Sequence, residues 1–233
     1  MYSFGILGAD KRMKALEQSL KRDGYPARML GNADSFDGLS VIVLPPGCDY
    51  IGIADKCRGK TVLAPINAAG CVNYLEMDSF KRENAVPTAE GAIYTLMGMT
   101  EHTVCGMDIA VVGYGCIGKA LLRMLSGLGA RVTVYARGES PRTKPIACLA
   151  GSTHTVIFNT VPAMVIDYDM LRSFPQRPII IDLASRPGGV DFAAAELFGI
   201  RCVQELGIPG RYSPATAGEV LKNAVISYLR GVK

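Results

Sequence analysis

The sequence predicts an α/β fold of two lobes, each built on a mostly parallel sheet, joined by a long crossover helix. Three observations lead there. Strand-like and helix-like segments alternate from one end of the chain to the other. Some strand segments are near-continuous apolar runs, such as RPIIIDLAS at 177–185, the mark of strands buried on both faces. One long helical segment interrupts the alternation near residue 90. At 233 residues and 49% hydrophobic content, the chain is long for one domain and short for two, which suits two small lobes.

The elements follow in order. The first lobe, 1–88, opens with the strand SFGILG and the amphipathic helix KRMKALEQSLKRDG, closed by its glycine. ARML, LSVIVLPP and KTVLAP read as short strands, a flavodoxin- or Rossmann-like series. Pro87-Thr88-Ala89-Glu90 reads as the start of the crossover helix, because proline suits a first helical turn. Apolar residues then recur every three or four positions to near Gly106, giving a crossover helix at 89–106. The second lobe takes 107–212. Its first strand leads into a glycine turn and a helix, and ARVTVYA at 130–136 is the next strand. Between Arg137 and the strand THTVIFNT at 153–160 the chain is too short for a helix, a strand and another helix. The outer third strand is therefore expected to be missing or vestigial. The strand at 177–185, the helix FAAAELFG and the strand IRCVQEL complete the lobe. The last segment, 213–233, is helical and is expected to pack back onto the first lobe.

The most telling stretch is IAVVGYGCIG at 109–118. Apolar strand residues run directly into Gly113-Tyr114-Gly115-Cys116-Ile117-Gly118, and a helix pattern follows. In such a turn the first glycine permits the tight bend. The second lets a pyrophosphate approach the backbone, and the third lets the helix pack against its strand. Unpaired N–H groups at the helix start then face the phosphates. An ordinary strand-turn-helix is the alternative, but the required flanking context is present on both sides. The end of the next strand selects the dinucleotide. An acidic residue there would hold the ribose 2′-OH of NAD. This chain has Arg137 instead, followed by Ser140, Arg142 and Lys144, a cluster that suits the 2′-phosphate of NADP. One charge-assisted hydrogen bond is worth about 1.5–3 kcal/mol. Glu139 leaves the other choice open, since it can reach a ribose hydroxyl.

In open α/β sheets, ligands sit beyond the carboxyl ends of the strands. Three post-strand segments lie there. Asn159-Thr160-Val161-Pro162 is expected near the nicotinamide ribose. Ser185-Arg186-Pro187-Gly188-Gly189 and Gly207-Ile208-Pro209-Gly210-Arg211 follow the next two strands. The plainer alternative for each is a simple turn, and finding all three at one edge weighs against it. Arg186 and Arg211 are planar forks suited to carboxylates, and Arg12, after Gly8-Ala9-Asp10, offers a third from the first lobe. Together they suggest an anionic substrate, although each singly suits an ordinary ion pair. Glu90 reads either as a general base or as a helix-start carboxylate stabilised by the dipole. The candidate catalytic residues are thus Glu90, Ser185, Arg186, Arg211, Arg12 and Thr88.

Other classes are disfavoured. A net charge of +4 without any Lys/Arg run gives no basis for nucleic-acid binding. Seven scattered cysteines lack any C-x-x-C pair, which fits reduced thiols, not a disulfide framework or a metal site. No apolar run reaches membrane-spanning length and no signal peptide is visible, so a cytoplasmic protein is expected. Of the two histidines, His102 is expected on the crossover helix in a packing role. Neither it nor His154 follows the last strands, where a 2-hydroxyacid dehydrogenase keeps its histidine. The lysine-bearing motif of shikimate dehydrogenases is missing as well.

These motifs carry a family resemblance. Pro87-Thr88-Ala89-Glu90-Gly91, the Gly113–Gly118 turn, Asn159–Pro162, Asp182-Leu-Ala-Ser185-Arg186-Pro187-Gly188-Gly189-Val-Asp191-Phe192, Gly207–Gly210 and Pro214-Ala-Thr216-Ala217-Gly218 resemble the A subunits of dipicolinate synthase. The segment around Arg186 and the PxTAG segment are the specific ones. The resemblance covers most of the chain from Pro87 on and is looser before it. It implies the last step to pyridine-2,6-dicarboxylate, the spore dicarboxylate, with hydride passing from a cyclic precursor to NADP. It also implies a partner, the flavoprotein-like B subunit, and expression during sporulation. Two readings remain: an oxidoreductase, or a nucleotide-binding subunit whose partner does the redox work. The sequence leaves open whether the chain also forms a homo-oligomer.

Overall fold

The computed structural model describes residues 2–31, 33–138 and 140–231. The chain divides into two compact units, Met1–Pro87 with Pro209–Lys233, and Thr88–Ile208. The first unit begins with strand β1 (Phe4–Leu7), helix α1 (Lys11–Arg22) and β2 (Ala27–Leu30), followed by β3 (Val41–Val43), β4 (Thr61–Ala64) and β5 (Cys71–Asn73). The five strands are parallel in the order β2-β1-β3-β4-β5. Asp10 caps α1, its side chain accepting a 2.8 Å hydrogen bond from Met13 N. Met13, Leu16 and Leu20, spaced three and four apart, turn one face of α1 into the core.

Helix α2 (Asp78–Met99) is longer at its start and shorter at its end than the sequence reading. Pro87 lies inside it, not at its first turn. Its ring removes one intrahelical hydrogen bond but does not stop the helix. Residues 100–106 are not helical. There the Thr100 hydroxyl accepts from His102 N at 3.1 Å, a local bond that competes with the helical ladder. His102 is consequently off the helix and exposed, contrary to its expected packing role.

The second unit holds β6 (Asp108–Val112), α3 (Cys116–Gly127), β7 (Arg131–Ala136), β8 (Lys144–Pro145), β9 (Val156–Asn159), α4 (Tyr168–Ser173), β10 (Ile179–Asp182), α5 (Phe192–Leu197) and β11 (Cys202–Gln204). Its parallel order is β11-β10-β9-β6-β7-β8. The outer strand β8 has two residues, all the short connection after Arg137 allows. The register lines up Tyr135, Val112, Asn159, Asp182 and Gln204 in one row across the sheet. The segments after β6, β9, β10 and β11 therefore leave the same edge. At the opposite ends of these strands, His154 Nδ1 lies 2.9 Å from Asp108 and its Nε2 lies 2.8 Å from the Tyr135 hydroxyl. Burial, then the Asp108 charge, holds the Tyr135 hydroxyl above its ordinary pKa.

The chain then turns through α6 (Ile208–Tyr212), where the sequence suggested a plain loop, into α7 (Pro214–Leu229). Helix α7 packs on α1 within the first unit. A side chain at Gly218 would lie 2.6 Å from Leu16 N, so this glycine sets the close approach. Lys222 pairs with Asp23, and Arg22 with Glu219 at 2.9 Å.

Candidate functional site

The turn after β6 has the geometry a phosphate cradle needs. Gly113 has φ +103°, a conformation that favours glycine, and its N–H donates to Tyr135 O at 2.7 Å. A Cβ on Gly118 would run into the Gly113 carbonyl, with the carbonyl carbon 2.9 Å away. Gly115 is the N-cap of α3, and nothing lies within 4 Å of where its Cβ would be. Cys116 and Ile117 begin the helix, half-buried, with no side chain capping their N–H groups. The strand packs the outer glycines, and the middle one leaves open space above free helix-start amides. These residues fit a dinucleotide pyrophosphate.

Asn159 and Thr160 support this turn from the side. Thr160 donates through its hydroxyl to Val112 O at 2.9 Å, and its side chain fills the space beside Gly113. Asn159 is fully buried. Its amide donates to Asp182 Oδ1 at 2.8 Å and Val161 O at 3.1 Å, and its oxygen accepts from Val161 N at 3.1 Å. Its polar atoms are thus engaged within the protein, which makes it a positioning residue. Val161 is half-buried and Pro162 exposed.

Asp182, which the sequence reading left without a role of its own, is the centre of the next loop. It is 0% exposed, yet no cation pairs with it among the described residues. Its carboxylate accepts from Asn159, from Ala184 N at 3.1 Å and from Gly189 N at 3.3 Å. Burial, then the Asp182 charge, push the neighbouring Cys202 thiol up to about 12. Gly189 packs against Asn159 and Val161 so closely that a side chain would overlap both. The chain between these anchors bulges outward, leaving Ser185, Arg186 and Pro187 exposed. Arg186 has no carboxylate partner among the described residues. Local sequence gave no signal for the Asn159–Asp182 bond, which joins two strands.

The other candidates lie on separate elements. Glu90 is exposed in the interior of α2, so it is not a helix-start carboxylate. Thr88 is buried. In the first unit, the Arg12 side chain is 11% exposed, with Asp10 at 3.9 Å, and its buried Nε has no hydrogen-bond partner among the described residues. Arg211 is exposed, over the Tyr212 ring at 5.2 Å. After β7, Arg137 is exposed. The turn that follows is folded on itself, Arg142 N donating to Ser140 Oγ at 3.2 Å and the Thr143 hydroxyl to Gly138 O at 3.1 Å. Glu139 lies outside the described residues. Arg142 lines an open cleft of about 550 Å³ with Tyr114, Lys119, Leu122 and Arg123, while Ser140 lines a second of about 460 Å³. Among the described residues no cluster of His, Cys, Asp or Glu is placed to hold a metal, and no helix is long and apolar enough to cross a membrane.

Comparison with known proteins agrees with this geometry. No family model matches the chain. The dipicolinate synthase A chain of Bacillus subtilis is 34% identical over 173 residues, 70% of this chain and 58% of that protein. The match thus spans less than two thirds of that relative's length. The crystal structure of the dipicolinate synthase A chain from Bacillus halodurans superposes with a TM-score of 0.86 at 26% identity, covering 98% of this chain and 97% of that one. The D-lactate dehydrogenase of Escherichia coli shares the fold alone, with a TM-score of 0.72 at 13% identity over 99% of this chain and 98% of that one. The motifs that run from Pro87 onward, the two parallel sheets and the open glycine turn therefore have one common explanation: the chain is a homologue of the dipicolinate synthase A subunits.

Proposed function

We propose that this chain is the dinucleotide-binding subunit of an NADP-dependent oxidoreductase that forms pyridine-2,6-dicarboxylate from a dihydrodipicolinate-type ring. The observation that carries the reading is the open space over Gly115 between two tightly packed glycines, in a homologue of the dipicolinate synthase A chains. The bound nicotinamide supplies the hydride acceptor. The ring loses one hydride and one proton and becomes aromatic, so the protein's main task is to hold the precursor in place. Arg186, exposed and without a carboxylate partner among the described residues, is the anchor for a substrate carboxylate. Arg12, whose buried Nε has no hydrogen-bond partner among the described residues, and Arg211 are alternatives to Arg186 in that role. Ser185 offers an exposed hydroxyl, and Glu90, exposed on α2, is the candidate to accept the proton.

A second reading is favoured by the histidines. His154 is buried at the far ends of the strands and His102 is exposed after α2, so neither follows the strands that lead to the glycine edge. On that reading the chain binds nucleotide, and a flavoprotein-like B subunit does the redox chemistry. The test is to titrate the purified chain with NADPH and NADH, and to follow NADPH absorbance with the dihydro precursor, with and without that partner. Turnover by the chain alone supports the first reading, and turnover only with the partner supports the second. Gly115→Val, which fills the open space, is expected to weaken both dinucleotides at least a hundredfold with the fold retained. Unchanged binding would overturn the dinucleotide assignment.

A further inference from the structure

Every charged side chain lining the cleft beside α3 is a cation, and the helix contributes two of the three. Lys119 and Arg123 sit one turn apart, so their side chains share a face. Like charges at that spacing repel, and α3 contains no acidic residue to offset them. Arg142, carried by the self-bonded turn after β7, faces the same space. None of the three has an ion-pair partner among the described residues. Tyr114 fixes one of them, with Lys119 Nζ 5.2 Å from its ring centre. Three cations from two elements, none ion-paired among the described residues, thus border an open cleft of about 550 Å³, a volume that suits a ligand group.

The cleft's position selects the anion. Tyr114 lies between the first two glycines of the turn, and Arg142 lies beyond the end of the second strand. The adenosine ribose of a dinucleotide presents its 2′ position between those two places. We propose that Lys119, Arg123 and Arg142 form a phosphate-monoester site that reads the 2′-phosphate of NADP(H), and that the outer face of α3, not Arg137, sets the cofactor preference. A phosphate monoester carries nearly two negative charges at neutral pH, which a single arginine would leave half-matched. Arg137 does not line this cleft.

This inference rests on the dinucleotide reading above. Its test is calorimetric titration of the whole chain and of the Lys119→Ala/Arg123→Ala variant with NADPH, NADH, 2′,5′-ADP and inorganic phosphate. The variant should lose at least tenfold in affinity for NADPH and for 2′,5′-ADP, the effect of one or more charge-assisted bonds. NADH should change by less than about twofold, and Lys119→Arg should retain most of the NADPH affinity. Arg137→Ala should leave the preference in place. Both side chains are exposed, so an unchanged melting temperature is expected in each variant. Equal losses for NADPH and NADH, or a preference that survives in the double variant while Arg137→Ala removes it, overturn the inference and leave the dinucleotide reading standing. Phosphate binding at the cleft with no preference for NADPH would assign it to an unattached phosphorylated ligand and also overturn it. A wild-type chain that binds neither dinucleotide overturns both.

Discussion

The glycine turn after β6 and the loop after β10 leave the same sheet edge, but they are held in opposite ways. The turn is shaped by missing side chains: Gly118 lies against the Gly113 carbonyl, Gly113 against the Thr160 side chain, and Gly115 puts no side chain over the start of α3. The loop is shaped by a side chain that is present, the buried Asp182 carboxylate, around which two backbone N–H groups and the Asn159 amide converge. In the first region, binding capacity is left facing outward. In the second, polar capacity is satisfied internally, and only the tip at Ser185–Pro187 faces solvent. Fold and function therefore separate between the two regions, and substitutions can test that separation.

The largest expected effect is on the loop. Asp182→Ala removes the acceptor for Ala184 N and Gly189 N in a fully buried place, and is expected to cost about 3 kcal/mol in urea unfolding. A loss below about 1 kcal/mol would mean the loop is not built on its carboxylate. Next comes Gly118→Ala. The new methyl meets the Gly113 carbonyl, which sits on a packed turn with little freedom to move, and about 2 kcal/mol of stability should be lost. If stability is unchanged but dinucleotide binding falls, Gly118 belongs with Gly115 and the packing contrast within the turn is wrong. The smallest effect on stability is expected at Arg186→Ala, within about 0.5 kcal/mol, since the side chain is exposed. Removing a charge that pairs with a bound carboxylate typically costs about 2–5 kcal/mol. Substrate use should therefore fall at least about tenfold while NADPH affinity holds. If NADPH affinity falls equally, Arg186 belongs to the cofactor site.

The parts legible in the sequence were those written in neighbouring residues. The strand, glycine turn and helix at 109–127 are contiguous, and their spacing carries the geometry. The shortage of chain after Arg137 was likewise a local count, and it foretold the two-residue β8. What escaped were features joined across the fold. Asn159 read as a ligand contact because a polar residue at a strand end commonly is one, but its partner Asp182 sits on the adjacent strand. Pro87 reads as a helix start because proline suits a first turn, whereas α2 runs through it with Ala85, Pro87 and Ala89 buried. The His154 network has no local signature, because Asp108 and Tyr135, its two partners, lie on strands β6 and β7. Nothing in the local sequence sets the α3 cations apart from a solvated helix face; the turn after β7, which brings Arg142 to the same cleft, does.

The two-residue strand β8 has a consequence for the behaviour of the second sheet in crowded solution. An edge strand offers unpaired backbone groups on which another chain's strand can grow. Here the edge next to β7 is Lys144–Pro145, both exposed. The proline has no N–H to donate, and the lysine sets a charge where an incoming strand would have to settle. The shortening that removes a full third strand thus leaves this border of the sheet a poor template for strand addition, and protects it against edge-to-edge aggregation.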